Sequence, residues 1–136
     1  MNIRKLISSD YYKDYIQLIE TNNNISYNQF NDFLNHLYNN HSIYVVEINN
    51  KIIASITIII EAKLIHHLSF VCHIEDLVID KDYRNMGLAR KLLNFAKDIS
   101  KKNNCYKIIL NCSDNLEEFY CKNGFYKSSV QMRLTI

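Results

Sequence analysis

His73-Ile74-Glu75-Asp76-Leu77-Val78-Ile79-Asp80 is an apolar strand pattern broken by two adjacent carboxylates, and it leads directly to Arg84-Asn85-Met86-Gly87-Leu88-Ala89. Leu88, Leu92, Phe95, Ala96 and Ile99 then recur at helical spacing. Strand, short glycine turn and amphipathic helix must therefore follow one another between Cys72 and Ala96. Such a turn collects several backbone N–H groups around one point. Unsatisfied donors and the positive end of the helix dipole attract phosphate there.

The rest of the chain arranges itself around this unit. Asn2 to Ile7 reads as a first strand, and Ser8-Ser9-Asp10 offers caps for a helix carrying Tyr12, Tyr15, Ile16 and Ile19 on one face. After a polar break from Thr21 to Ile25, Ser26-Tyr27-Asn28-Gln29 matches a capping box for a second helix. Ser42 to Ile48 and Ile52 to Leu64 are strands joined at Asn49-Asn50-Lys51, where asparagine tolerates positive φ. Ser69 to Ile79 follows a His66-His67 loop. Tyr106 to Cys112 is a short strand, Asp114 and Glu117 cap a helix through Tyr120 and Lys122, and Phe125 to Ile136 holds a last strand or two. The order β-α-α-β-β-β-α-β-α-β predicts one α/β domain over residues 1–136, its central mixed sheet antiparallel in its first part.

Composition narrows the function. The 16 Lys and Arg are scattered against 14 Asp and Glu, for a net charge of +2, so no basic stripe for nucleic acid is present. Ile52 to Ile60 is apolar but well short of the roughly 20 residues of a membrane span, and the opening residues carry no secretory pattern. Cys72, Cys105, Cys112 and Cys121 form no CxxC pair and have no His at metal spacing, so they read as free, buried thiols in a reducing cytoplasm, with no metal. The chain has no proline and two glycines, Gly87 and Gly124. Glycine kept at two places points to backbone conformations or close approaches that only glycine allows.

The turn lacks the second and third glycines of a dinucleotide fold and the Gly-Lys-Ser/Thr of a P-loop. Strand, Arg-x-x-Gly-x-Ala and helix instead resemble the pyrophosphate-binding motif of the GCN5-related N-acetyltransferases (GNAT). Phe119-Tyr120-Cys121-Lys122-Asn123-Gly124-Phe125 resembles that fold's C-terminal signature. Ile58 to His66, Cys72 to Ile79, Asn104 to Leu110 and Val130-Gln131-Met132 are similar, within that superfamily, to the glucosamine 6-phosphate N-acetyltransferases. The resemblance implies the GNAT fold, a twisted, mostly antiparallel sheet flanked by helices, and a cytoplasmic homodimer. It also implies transfer from acetyl-CoA to the 2-amine of glucosamine 6-phosphate, a step of UDP-N-acetylglucosamine biosynthesis.

Site residues follow from the resemblance position by position. The turn from Arg84 through Asn85, Met86, Gly87, Leu88 and Ala89 to Arg90 holds the pyrophosphate, while backbone groups of Leu77, Val78 and Ile79 pair with the pantetheine arm. Leu77 N–H is also the expected oxyanion donor. Tyr120 assists the leaving thiolate and Lys122 contacts the cofactor. Glu75 and Asp76, which alternation places on opposite faces of the strand, lie at the amino-sugar site with Leu77. Thr21, Lys63, Leu64, Ile65, His66, Tyr106 and Lys107 belong to the phosphosugar.

Three positions depart from the family. Asn111 stands where relatives have an acidic residue, and an amide cannot accept a proton, although it can orient the amine. The base must then be water, a backbone carbonyl or the Glu75/Asp76 pair. The helix-start asparagine falls at Leu116, and the C-terminal arginine at Thr135, with Arg133 on the same strand face as substitute. Rival readings are the same fold acting on another small amine or a protein N-terminus, or an acyl-CoA-binding module without turnover.

Overall fold

Strand β3 (Lys51–Ala62) is the centre of the sheet, because every side chain from Ile52 to Ile58 is buried. A strand covered on both faces reads as a continuous apolar run rather than an alternating one, as this one does. The computed structural model describes residues 1–19, 22 and 24–136. Around β3 lie β1 (Ile3–Lys5), β2 (His41–Ile48), β4 (Phe70–Ile79) and β5 (Cys105–Ile109), in the order β1-β2-β3-β4-β5. All neighbours are antiparallel except β4 and β5, which are parallel. A parallel pair needs a crossover, and α3 (Leu88–Lys102) provides it.

Local chemistry sets the connections. The β2–β3 hairpin turns on Asn49 and Asn50, both at positive φ (49° and 62°). Helix α2 (Tyr27–Asn35) begins with the capping box as expected: Gln29 N–H donates to Ser26 Oγ, and Ser26 N–H donates to Gln29 Oε1. The expected first helix is two pieces, a 3-10 turn at Ser8–Tyr12 and α1 (Tyr15–Ile19), divided at Asp14 with φ 61°. The last helix, α4 (Glu117–Lys122), follows a 3-10 turn at Asp114–Leu116.

The sheet has a core on each face. Ala54, Ile56, Ile58, Cys72 and Ile74 pack against Leu88, Leu92, Leu93 and Ala96 of α3. On the other face, Val45 and Ile52 meet Tyr15, Ile16 and Phe30 of α1 and α2. Burying each such Leu, Ile or Phe side chain contributes roughly 1.5–3 kcal/mol.

Two expectations fail. Residues 125–136 form no strand. Tyr126, Val130, Met132, Leu134 and Ile136 are largely exposed, so the alternating pattern finds no ladder within one chain. Arg133 therefore shares no strand face with Thr135. The four cysteines are free, but only Cys72 is buried, and Cys112 and Cys121 are exposed. Both lie next to short elements at the rim, Cys112 after β5 and Cys121 on α4, where no layer covers them.

Asp10, fully buried, fastens the first strand to the α1 segment. Its two oxygens accept from Arg4 Nη1 and Nη2 at 2.8 Å each, and Oδ2 also accepts Ile7 N–H at 2.9 Å. Arg4 bridges onward to Glu47, which also pairs with Lys13 at 2.9 Å. These two carboxylates hold the guanidinium protonated beyond its ordinary range, chiefly through the Asp10 bonds. Removing Asp10 leaves Arg4 with Glu47 alone and Ile7 N–H without its acceptor, a loss of about 1.5–3 kcal/mol. Asp10→Ala is therefore expected to lower unfolding free energy by that amount in a urea titration. A loss under about 1 kcal/mol would show that the clasp is dispensable.

Candidate active site

The site begins where two strands separate. Pairing between β4 and β5 runs only from Phe70↔Cys105 to His73↔Ile109, yet β4 continues for six more residues. Beyond His73 the β5 side of β4 has no strand beside it among the described residues. Backbone N–H and C=O groups on an open edge require partners, and an extended ligand can supply them.

On its other edge β4 carries a bulge. Glu75 pairs with Thr57 and Val78 with Ser55, so Asp76 and Leu77 together face Ile56. Asp76 takes a positive φ of 48°. A bulge of this kind re-aims side chains and bends the strand. It also ends the simple alternation expected for the carboxylate pair: Asp76 is exposed and Glu75 half-buried, so neither charge is forced into the core. Leu77, Val78 and Ile79 continue β4 half-buried past the bulge.

At the end of β4, Asp80 Oδ1 accepts Asp82 N–H at 2.9 Å and Oδ2 meets Lys51 Nζ at 2.7 Å. These bonds, Lys51 first, hold the Asp80 carboxyl below its ordinary range. They fix the 3-10 turn Lys81–Tyr83 that delivers Arg84, whose Nε donates to Ile79 C=O at 3.3 Å. Asn85 (φ 61°) and Gly87 (φ 78°) then turn the chain into α3. The first bond of that helix runs from Lys91 N–H to Gly87 C=O at 3.1 Å. The amides of Leu88, Ala89 and Arg90 thus precede the helical ladder.

A Cβ on Gly87 would meet no atom within 4 Å. The glycine faces open space, room that a diphosphate would fill against these amides. Leu88 is buried in the core, so it serves a ligand only through its backbone. Arg84, Asn85, Met86 and Arg90 are exposed around the turn. A cleft of about 370 Å³ adjoins it, lined by Gln17 and Leu18 of α1 and by Lys51, Val78, Ile79 and Arg84. A smaller cleft of about 220 Å³ lies at the opposite edge of the sheet, beside Lys5 and Tyr38, and collects none of these groups.

Tyr120 stands on α4, half-buried, with Phe119 and Phe125 edge-on at 5.1 and 5.8 Å. Burial first, then the neighbouring Cys112 thiol, pushes its hydroxyl above the ordinary tyrosine range. The hydroxyl therefore stays protonated and able to donate well above neutral pH. Gly124 closes this helix at φ 93°, and Lys97 Nζ donates to Asn123 C=O at 2.7 Å. Lys122 is exposed and pairs with Glu118, one turn earlier, at 3.0 Å. Asn111 lies exposed just beyond β5.

Basic groups collect at the far end of β3. His66, His67 and Leu68 all hold positive φ (55°, 59° and 61°), in place of a simple loop. His66 stacks on Tyr106 with ring centroids 4.3 Å apart, and Lys107 Nζ lies 5.3 Å from the same ring. Lys63 Nζ pairs with Glu61 at 3.3 Å, while Leu64 and Ile65 are exposed. Arg133 lies exposed on the tail, outside any strand. Thr21 lies outside the described residues. Among the described residues no three His, Cys, Asp or Glu side chains come together as a metal set.

One pair escaped the sequence reading. His73 Nε2 lies 2.9 Å from Glu61 Oε1. The signal was present, since both residues break otherwise apolar strands, but the twelve-residue separation pairs only once the β3–β4 register is known.

The model of the acetyltransferase (GNAT) family matches residues 2–125. The glucosamine 6-phosphate N-acetyltransferase of Arabidopsis thaliana is 33% identical, over 96% of this chain and 93% of its own. That of Candida albicans is 32% identical over 95% and 91%. The crystal structure of the Arabidopsis enzyme superimposes with a TM-score of 0.93, covering 98% of this chain and 97% of its own at 32% identity. A Trypanosoma brucei acetyltransferase gives 0.91, covering 99% of both chains at 28% identity.

The turn geometry makes Gly87 testable. Gly87→Ala places a Cβ at a left-handed position, a strain of about 1–2 kcal/mol, and in the space facing the helix amides. Calorimetry is expected to show at least 10-fold weaker binding of CoA with an unchanged circular dichroism spectrum. Equal binding would remove the turn from the anion site.

Proposed function

Because the chain belongs to the acetyltransferase (GNAT) family, we propose that it transfers the acetyl group of acetyl-CoA to the 2-amine of glucosamine 6-phosphate, giving N-acetylglucosamine 6-phosphate and CoA. The observation that carries this reading is the position of the acidic bulge. Glu75 and Asp76 lie on the strand that leads into the Gly87 turn at one end and starts beside β5's Tyr106 and Lys107 at the other. Carboxylates suit an ammonium group, and Lys107, His66 and Lys63 suit a phosphate held away from it. The named relatives act on this substrate, which supports the same choice here.

The chain's own residues divide the work. The amides of Leu88, Ala89 and Arg90 and the Arg84 side chain hold the pyrophosphate of the cofactor. The open edge of β4 at Leu77, Val78 and Ile79 pairs with its pantetheine arm as an added strand. Acetyl-CoA, when bound, supplies the activated thioester. Leu77 N–H donates to the thioester oxygen as charge builds there. Glu75 and Asp76 bind the amine, and Asn111 orients it. Tyr120 gives its proton to the departing thiolate; its raised pKa widens the pH range over which that proton is available, so loss of activity through Tyr120 belongs at strongly alkaline pH. No acyl-cysteine is required, and no metal.

The reading extends to a homodimer in the cytoplasm. The exposed alternating tail residues Val130, Met132, Leu134 and Ile136 support a second copy as their cover, and four free thiols support a reducing compartment. A second reading, cofactor binding without turnover, is favoured by Asn111 alone, since no carboxylate stands there.

Thiol release from acetyl-CoA, measured against amino sugars, their 6-phosphates and other amines, decides among these readings. Turnover is expected on glucosamine 6-phosphate, and binding without turnover on any amine would support the module. Tyr120→Phe is expected to lower kcat by roughly 10- to 1000-fold with little change in KM; an unchanged kcat in a chemistry-limited assay would dismiss its role. Sedimentation of the whole chain and of a chain ending at residue 128 tests the assembly. The first is expected at twice the monomer mass, and the shortened chain as a monomer.

A further inference from the structure

We propose that His73, oriented by Glu61, is the final acceptor of the first proton that the substrate ammonium must lose. This inference rests on the amine-acetylating reading given above. The register places the residues concerned on one face. Cys72 and Ile74 pack into the core beneath α3, so His73 and Glu75 face the other way, and Ile109 pairs with His73 across the parallel ladder. Asn111 follows Ile109 by two residues, on the side of the ladder toward which Glu75 lies. His73 thus sits one rung from Glu75, about 6.8 Å along the strand, with Glu61 on the rung beyond, opposite Val71.

Chemistry selects the imidazole. An ordinary carboxylate holds the proton of an ammonium only in passing, and base catalysis is most effective when the final acceptor and the working pH are matched. Imidazole is the side chain with that match. The Glu61 carboxylate accepts from Nε2–H at 2.9 Å, which leaves Nδ1 as the lone-pair nitrogen, the role a carboxylate plays toward histidine in a catalytic triad. His73 first, then Lys63, holds the Glu61 carboxyl below its ordinary range, so Glu61 remains the anion that a charged imidazole needs. In the step, an N–H bond of the ammonium breaks, Glu75 takes that proton and passes it to Nδ1, and the freed electron pair on nitrogen forms the C–N bond at the thioester carbonyl. As the adduct collapses the C–S bond breaks, Tyr120 protonates the thiolate, and the second N–H proton leaves nitrogen to restore the Tyr120 hydroxyl through solvent. The imidazolium later returns its proton to solvent.

The charged groups facing His73 are Glu61 and Lys63 from β3 and its end, Glu75 from β4, and Lys107 from β5, whose ladder partner is Val71. Helix α1, which also packs on β4, contributes Tyr15 and Gln17 and no charge. Of these, Glu61 lies 2.9 Å from the ring, and Lys63 shares the same carboxylate at 3.3 Å.

The test is kcat/KM for glucosamine 6-phosphate as a function of pH in the wild-type chain, His73→Gln and Glu61→Gln, with melting temperature and KM for acetyl-CoA alongside. His73→Gln is expected to lose about 100-fold at about pH 6.5, with the deficit closing at alkaline pH, where the amine is already neutral. Glu61→Gln is expected to lose about 10-fold with the same pH trend, and added imidazole to restore part of the rate to His73→Ala. A deficit that does not vary with pH, or none, overturns the proposal while leaving the acetyltransferase reading intact. Wild-type enzyme that fails on glucosamine 6-phosphate overturns both.

Discussion

A strand that outlasts its partner governs this molecule. β4 keeps its ladder with β3 to Ile79, but β5 stops opposite His73. Backbone polar groups cannot be left dry without cost, so the free length of β4 has to stay open to solvent or to a ligand. The bulge at Asp76–Leu77 lies along that free length, and the Asp80–Lys51 bond and the Gly87 turn follow where it ends. α3 then packs Leu88, Leu92 and Leu93 beneath the sheet, which fixes the direction of its free amides. Position at the gap and stability of the core are set by the same helix.

The two faces of the sheet are used differently. Beneath α3 the contacts are apolar and close-packed. On the other face, apolar cover by α1 and α2 is complete near β1 and β2 and thins toward β5, where Glu61, His73, Glu75 and Lys107 replace it. Charged groups on this face meet one another: Lys63 with Glu61, and His73 with the same carboxylate. Such pairs at partial exposure contribute little stability.

How much of this was legible in the sequence varies with the range of the interaction. The Ser26 capping box, the Asn49–Asn50 turn and both glycine positions depend on local backbone preference, and each is found where its residues indicate. The succession of the first five strands along the chain followed from apolar periodicity, with ends shifted by one to three residues. Alternation could not reveal the bulge, because an extra residue leaves no mark on an apolar pattern until the partner strand is known. The tail misled for a related reason: a β pattern states that a ladder is wanted, not that one chain can supply it. Lys122 reads as a cofactor contact or a solvated lysine, and its exposed pair with Glu118 is compatible with both. The His73–Glu61 pair depends on the β3–β4 register and on nothing shorter.

The left-handed residues have a consequence for how the chain can change. Asp14, Asn49, Asn50, His66, His67, Leu68, Asp76, Asn85 and Asn104 all hold positive φ without being glycine. Each carries a strain on the order of 1 kcal/mol, against a total stability of about 5–15 kcal/mol for a domain. Hydrogen-bonding Asn and Asp soften that strain, and they make up six of the nine. The fold therefore leaves a reserve at its corners: glycine introduced at the solvent-facing turns would relieve strain without touching either core. A lineage under pressure for heat tolerance could draw on those corners while leaving the strand gap, and the chemistry beside it, as they are.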